Sequence, residues 1–209
     1  MSPPKAFERP AFYLLNPAPV MVFRSYRRSR ILLFYMSDSA PPEVWLRGPV
    51  PGVPAMLQPV AHALLQAREE LAAALADFPP ALLNERPGDV ASVGFHLRHL
   101  AGVLDRTFTY ARGEALSPIQ LAALAEETEL LTADAGTLAQ LQQRFAQQVD
   151  RALAQLRHTD FAVFTELRGV GRAQVPSTVI GLLVHAAEHT TRHLGQLLVT
   201  AKWVVARTL

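Results

Sequence analysis

Five of the chain's seven histidines fall in two clusters. The later one reads His185-Ala186-Ala187-Glu188-His189-Thr190-Thr191-Arg192-His193-Leu194-Gly195-Gln196, with its histidines four apart. On a helix, residues four apart sit one turn above each other on a single face. Two imidazoles at that spacing can reach one ion. All three cannot, because the outer pair is about 12 Å apart along the axis. Leu182, Ala186, His189, His193, Leu197 and Thr200 share one stripe, so His189 and His193 point where the apolar residues point. A buried imidazole needs a polar partner, and a metal ion is an efficient one. Hydrogen bonding within the core is the plainer alternative for such a pair.

The earlier cluster lies in Ser92-Val93-Gly94-Phe95-His96-Leu97-Arg98-His99-Leu100-Ala101-Gly102, where His96 and His99 are three apart. A third nitrogen from this segment would complete a three-histidine site with an open position for water or substrate. Periodicity does not choose between His96 and His99. The segment is apolar over most of its circumference, and only a strip through Arg98, Asp105, Thr109 and Arg112 is clearly polar. The sequence holds no cysteine, which excludes disulfides, iron–sulfur clusters and thiolate zinc sites. Any thiol chemistry must use a thiol brought in by a substrate.

Residues around the pair admit weaker roles. His185 is either a supporting contact to the metal site or an ordinary helix-face residue. Glu188 projects about 100° away from His189 and reads as solvated. Asp105-Arg106 reads as a local ion pair, with a substrate contact as the alternative. Gln196 can orient a ligand or substrate, or only bridge helices. His62 and His158 stand alone and read as structural or exposed.

The elements that must position these residues are helical. Leu and Ala dominate and half of the sequence is hydrophobic, enough for a real core. A first long helix is expected from Val53 to about Asp77, with Met56, Leu57, Val60, Leu64, Leu65, Leu71 and Leu75 at helical spacing. Pro59 kinks it or delays its start. Ser92 is a good N-cap for a second helix running to Arg112, with Gly113 as its stop. Ser117-Pro118 opens a short helix. A third long helix spans about Thr137 to His158, burying Leu138, Leu141, Phe145, Val149, Leu153 and Leu156. Residues 159–176 form a long loop with room for a short extended piece, and Pro176-Ser177-Thr178 opens the last helix, to about Val205. Four long amphipathic helices with unequal connections give an all-α fold, a four-helix bundle with one long crossover connection.

Residues 1–40 read differently, as a disordered extension or an over-long start, with residues 41–209 as the bundle domain. Five prolines break the segment, and Met36 offers an alternative first residue. An Arg-rich targeting peptide or a basic membrane-surface arm are the functional alternatives. Residues 1–35 hold six basic side chains against Glu8 alone, a net of +5. The chain's net charge is +2, so residues 36–209 carry −3. The mildly acidic domain has no dense basic helix, which argues against a nucleic-acid partner. No apolar run reaches the ~18 residues that would cross a bilayer, so no membrane partner is expected and a cytoplasmic location is.

His99-Leu100-Ala101-Gly102, Asp105-Arg106, Tyr110-Ala111-Arg112-Gly113 and the late His189-x-x-x-His193-x-Gly195-Gln196 together resemble the DinB-like superfamily. The resemblance covers roughly residues 50–205 and implies metal ligands at His99, His189 and His193. His96, His185, Asp105, Arg106 and Gln196 become candidates for supporting or substrate contacts. It also implies one divalent ion, with zinc, nickel, iron, manganese or copper not distinguished. The activity it implies is metal-dependent transfer of a low-molecular-weight thiol to an electrophile, as in bacillithiol and mycothiol S-transferases. Two alternatives stand beside it: metal-dependent hydrolysis, for which His185 to His189 formally matches HxxEH, and a non-catalytic metal-binding bundle. Homodimerisation is left open.

Overall fold

The computed structural model describes residues 41–208, so the expectations for residues 1–40 lie outside the described residues. Four long helices form the framework: α1 (Gln58–Ala74), α2 (Val93–Ala111), α4 (Ala135–Arg157) and α5 (Val179–Ala206), with the short α3 (Pro118–Ala125) between α2 and α4. Helix α2 packs against both α4 and α5, and α1 packs against the same two. Leucines dominate the core, with valines, alanines and phenylalanines between them: Leu64, Leu71, Leu97, Leu104, Phe108, Phe145 and Leu183 are all essentially sealed from solvent.

Local chemistry fixes the ends. Ser92 accepts a hydrogen bond from the Phe95 amide, which starts α2 as its cap. Gly113 adopts φ +79° just past that helix, the left-handed turn expected of a glycine stop. Ser117 and Gln120 form a reciprocal capping box at α3, with Pro118 in its first turn. All six apolar residues expected on the inner face of α4 are buried.

Three expectations shift. Helix α1 starts at Gln58, because Ala55–Leu57 forms a separate 3-10 turn and Pro59 fits only the first turn of a helix. Met56 is consequently exposed rather than in the core. The last helix starts at Val179 with Thr178 as its cap, its hydroxyl accepting from the Gly181 amide. Pro176 belongs instead to a two-stranded antiparallel hairpin, β1 (Leu167–Val170) and β2 (Val175–Thr178), where it faces Gly169. Both strands are edges, where a missing N–H is tolerated. Among the described residues no helix is long and apolar enough to cross a membrane.

Candidate metal centre

The facing surfaces of α2 and α5 bring three imidazoles together. His99 comes from the first half of α2, and His189 and His193 from successive turns of α5. One ligand-capable nitrogen of each lies within 4.8 Å of the others. Nε2 of His99 is 2.9 Å from Nε2 of His189, and the His99 and His193 ring centroids are 4.4 Å apart. Each of the three is partly buried. They sit at the rim of the core.

The opposite ring nitrogens are held differently. Nδ1 of His99 is 2.7 Å from Oε2 of Glu127, and Oε1 of the same carboxylate is 2.6 Å from the Arg106 guanidinium. Burial alone would raise the Glu127 carboxyl, but hydrogen bonds from His99 and Arg106 outweigh it and hold the carboxyl below its ordinary range. An ionised Glu127 accepts from Nδ1–H of His99 and so leaves that ring's Nε2 as the lone pair. Nδ1 of His193 is 3.3 Å from Nδ1 of His96. Nδ1 of His189 is buried with no hydrogen-bond partner. Phe95 stacks on His99, with ring centroids 5.2 Å apart and planes 12° apart.

Glu127 reaches the site because its segment is pinned. It lies in the 3-10 turn Glu126–Thr128, between α3 and α4. Arg98 of α2 donates to the carbonyls of Glu126 and Glu129, while Asn84 brackets the backbone of Leu131. The polar strip of α2 makes contacts with neighbouring elements along its length, from partly buried Arg98 to exposed Arg112. Thr109 is buried, and Arg112 hydrogen-bonds Gln155 of α4. A bare α2 surface makes room for the carboxylate: a Cβ on Gly102 would overlap Oε1 of Glu127 and lie 2.6 Å from the Arg106 guanidinium.

The donor set suits an ion. With Nδ1 of His99 and of His193 engaged by neighbours, their Nε2 atoms are what remains to coordinate. The close Nε2···Nε2 approach, with one of the two nitrogens lacking a proton, fits imidazoles gathered around a cation. Burial also disfavours protonation of His96, His189 and His193. His96 and His189 are each lowered to about 4, first by burial and then by neighbouring imidazoles, and His193 is lowered for the same reasons.

Other sequence candidates separate. Asp105 and Arg106 do not pair with each other: Asp105 accepts from Gln120 and Gln148, and Arg106 binds Glu127. Adjacent helix positions diverge by about 100°, which sends them to different neighbours. His185 meets His189 edge-on, at 5.2 Å between centroids, but is half-exposed and not one of the three converging histidines. Glu188 is exposed and ion-paired with Arg192, as expected for a solvated carboxylate. Gln196 lines a cavity beside His96. His62 contacts the Gly48 carbonyl at the surface, and His158 caps α4. Glu127 is the participant that sequence reasoning does not anticipate. Its Glu126-Glu127-Thr128-Glu129 setting reads as a solvated acidic run, and the bare Gly102 is its faint signal.

Comparison with known proteins adds the family. No curated protein matches the chain. A conserved protein from Enterococcus faecalis of known structure is similar, with a TM-score of 0.58 and 19% identity over 72% of this chain and 97% of its own. At that identity the likeness concerns the fold alone. Residues 63–197 match the model of the DinB superfamily, a span that includes all three converging histidines and more than half of the sequence, and the chain belongs to that superfamily.

Proposed function

We propose that the protein binds one divalent metal ion through His99, His189 and His193 and uses it to transfer a low-molecular-weight thiol to an electrophile. The observation that carries the reading is the convergence of three partly buried imidazoles, two of them with Nε2 atoms 2.9 Å apart. When bound, the ion supplies positive charge that three neutral ligands do not cancel, which favours a thiolate over a thiol and lowers the thiol pKa. The chain's own residues then have definite tasks. Glu127 keeps a proton on Nδ1 of His99 and its Nε2 free. His96 does the corresponding work for His193. Phe95 covers one face of His99 and keeps water from that side. With no cysteine in the sequence, the reacting sulfur belongs to the substrate.

The test is metal analysis of the purified protein, followed by a screen of small thiols with chlorodinitrobenzene and with activated alkenes. The expected result is about one ion per chain, and a conjugation rate that falls with chelation and returns with metal. A fully demetallated protein that conjugates at the same rate overturns the transferase reading. A metal-loaded protein that turns over no thiol but hydrolyses esters favours activated water instead.

A further inference from the structure

A cavity of about 560 Å³ opens beside the histidine cluster, between the start of α2 and the second half of α5. Its walls are mostly apolar, from Val90, Ala91, Val199 and Trp203, with His96, Arg192, Gln196 and Thr200 as polar members, the Arg192 guanidinium being ion-paired with Glu188. Three of these apolar side chains, Val90, Val199 and Trp203, are about half exposed or more, an unusual cost unless something covers them. Gly195 also lines the cavity, and a Cβ placed there would meet nothing within 4 Å. The glycine therefore faces open space and keeps the cavity wide.

His96 ties this cavity to the metal centre. Its side chain is only 3% exposed, yet it lines the cavity. Its Nδ1 is engaged by Nδ1 of His193, and its Nε2 has no hydrogen-bond partner among the described residues. A His193 that coordinates through Nε2 must carry its proton on Nδ1. It then donates to Nδ1 of His96, so His96 carries its own proton on Nε2. An unpartnered N–H beside an apolar cavity is a binding group for one acceptor atom.

We propose that this cavity is the electrophile subsite, taking a small, largely apolar molecule with one carbonyl oxygen that accepts from Nε2–H of His96. The inference rests on the metal-centre reading, because the ion on His193 sets the tautomer of His96.

The test uses the full chain loaded with zinc, with zinc content measured for every sample. Fluoroacetophenone and fluoroethylbenzene, alike in body but differing in the carbonyl, are titrated by fluorine NMR. The parent should bind the ketone about fivefold more tightly than the hydrocarbon, the worth of one neutral hydrogen bond. Gly195→Leu fills the cavity from a position with free space, so it should abolish binding of both probes without loss of zinc or thermal stability. His96→Phe should bind both probes equally. Should His96→Phe fail to fold, the zinc-free parent replaces it: without an ion on His193 the proton on Nε2 of His96 is no longer fixed, so the carbonyl preference should fall, and a preference that zinc removal leaves unchanged overturns the role of His96. Probe binding that ignores Gly195→Leu in zinc-loaded protein overturns the cavity assignment alone. A parent with no carbonyl preference, or a folded His96→Phe that keeps one, overturns the role of His96. A parent that takes up no zinc removes the metal reading, and the assignment of His96 falls with it.

Discussion

Glu127 and His99 meet at 2.7 Å across 28 residues of sequence, and the carboxylate that orients the ring is itself anchored by Arg106. A partner on the far nitrogen of a coordinating histidine fixes both its tautomer and its angle, and losing such a partner typically costs 10–100-fold in metal affinity. Glu127→Gln should weaken metal binding by about that factor. It should also lower thermal stability, because Arg106 is left buried without its counter-charge, at a cost of roughly 3–5 kcal/mol. Competition titration against a chelator and thermal unfolding check the two effects separately. Unchanged metal affinity in a folded Glu127→Gln protein would contradict the orienting role.

The two α5 acid–base neighbours should behave in opposite ways. His193→Ala removes one of the three converging nitrogens and should abolish tight metal binding. Glu188→Gln alters an exposed carboxylate whose ion pair with Arg192 is worth little at the surface. Its metal content should stay at the parental level and its stability within about 0.5 kcal/mol. Metal analysis and denaturant titration of both variants test this. A metal-replete Glu188→Gln protein without activity would instead make Glu188 a general base and favour hydrolysis.

Acid should destabilise the metal-free protein in a defined window. His96 and His189 titrate near 4 when folded, against about 6.5 for a free imidazole. Between those values the unfolded chain binds protons that the folded chain does not, so stability falls as pH drops. The contribution is fully present above about pH 6.5 and lost progressively toward pH 4. Glu127, held below its ordinary range, adds further loss as pH falls below its ordinary value of 4.5. Melting temperature of the apoprotein should therefore be flat above about pH 7 and decline below it. A flat profile through that window would show that these imidazoles accept protons without cost.

Much of this arrangement is legible in the residues themselves. The α4 stripe, the Ser92 and Ser117 caps and the Gly113 stop are local signals, set by periodicity and by end groups that need partners. The His189–His193 pair is local too. The choice of His99 over His96 is not, because α2 is apolar nearly all round and both rings end up at the cluster. Family resemblance, rather than periodicity, singles out His99. Glu127 was beyond reach for a different reason. Its partner lies on another helix, and only the tertiary path of the connection through Arg98 and Asn84 brings them together. The start of α5 is ambiguous in the sequence because a cap-like Pro-Ser-Thr run also suits a strand edge.

Gly102→Ala isolates that tertiary constraint with a single methyl group. In the interior of a helix, Ala is favoured over Gly by about 1 kcal/mol, so on propensity alone the substitution should stabilise α2. Here the added Cβ would overlap a carboxylate oxygen of Glu127 and crowd the Arg106 guanidinium. Both side chains are buried, and the segment carrying Glu127 is pinned by Arg98, so neither group can swing freely into solvent. The expected outcome is a lower melting temperature and weaker metal binding, in a protein that keeps every charge and every histidine. Measuring both in the presence and absence of zinc separates the effects, because displacement of Glu127 should cost more in the metal-bound form. A melting temperature raised by the substitution, with metal affinity intact, would mean that the Glu127–Arg106 pair moves aside cheaply and that His99 does not depend on its position.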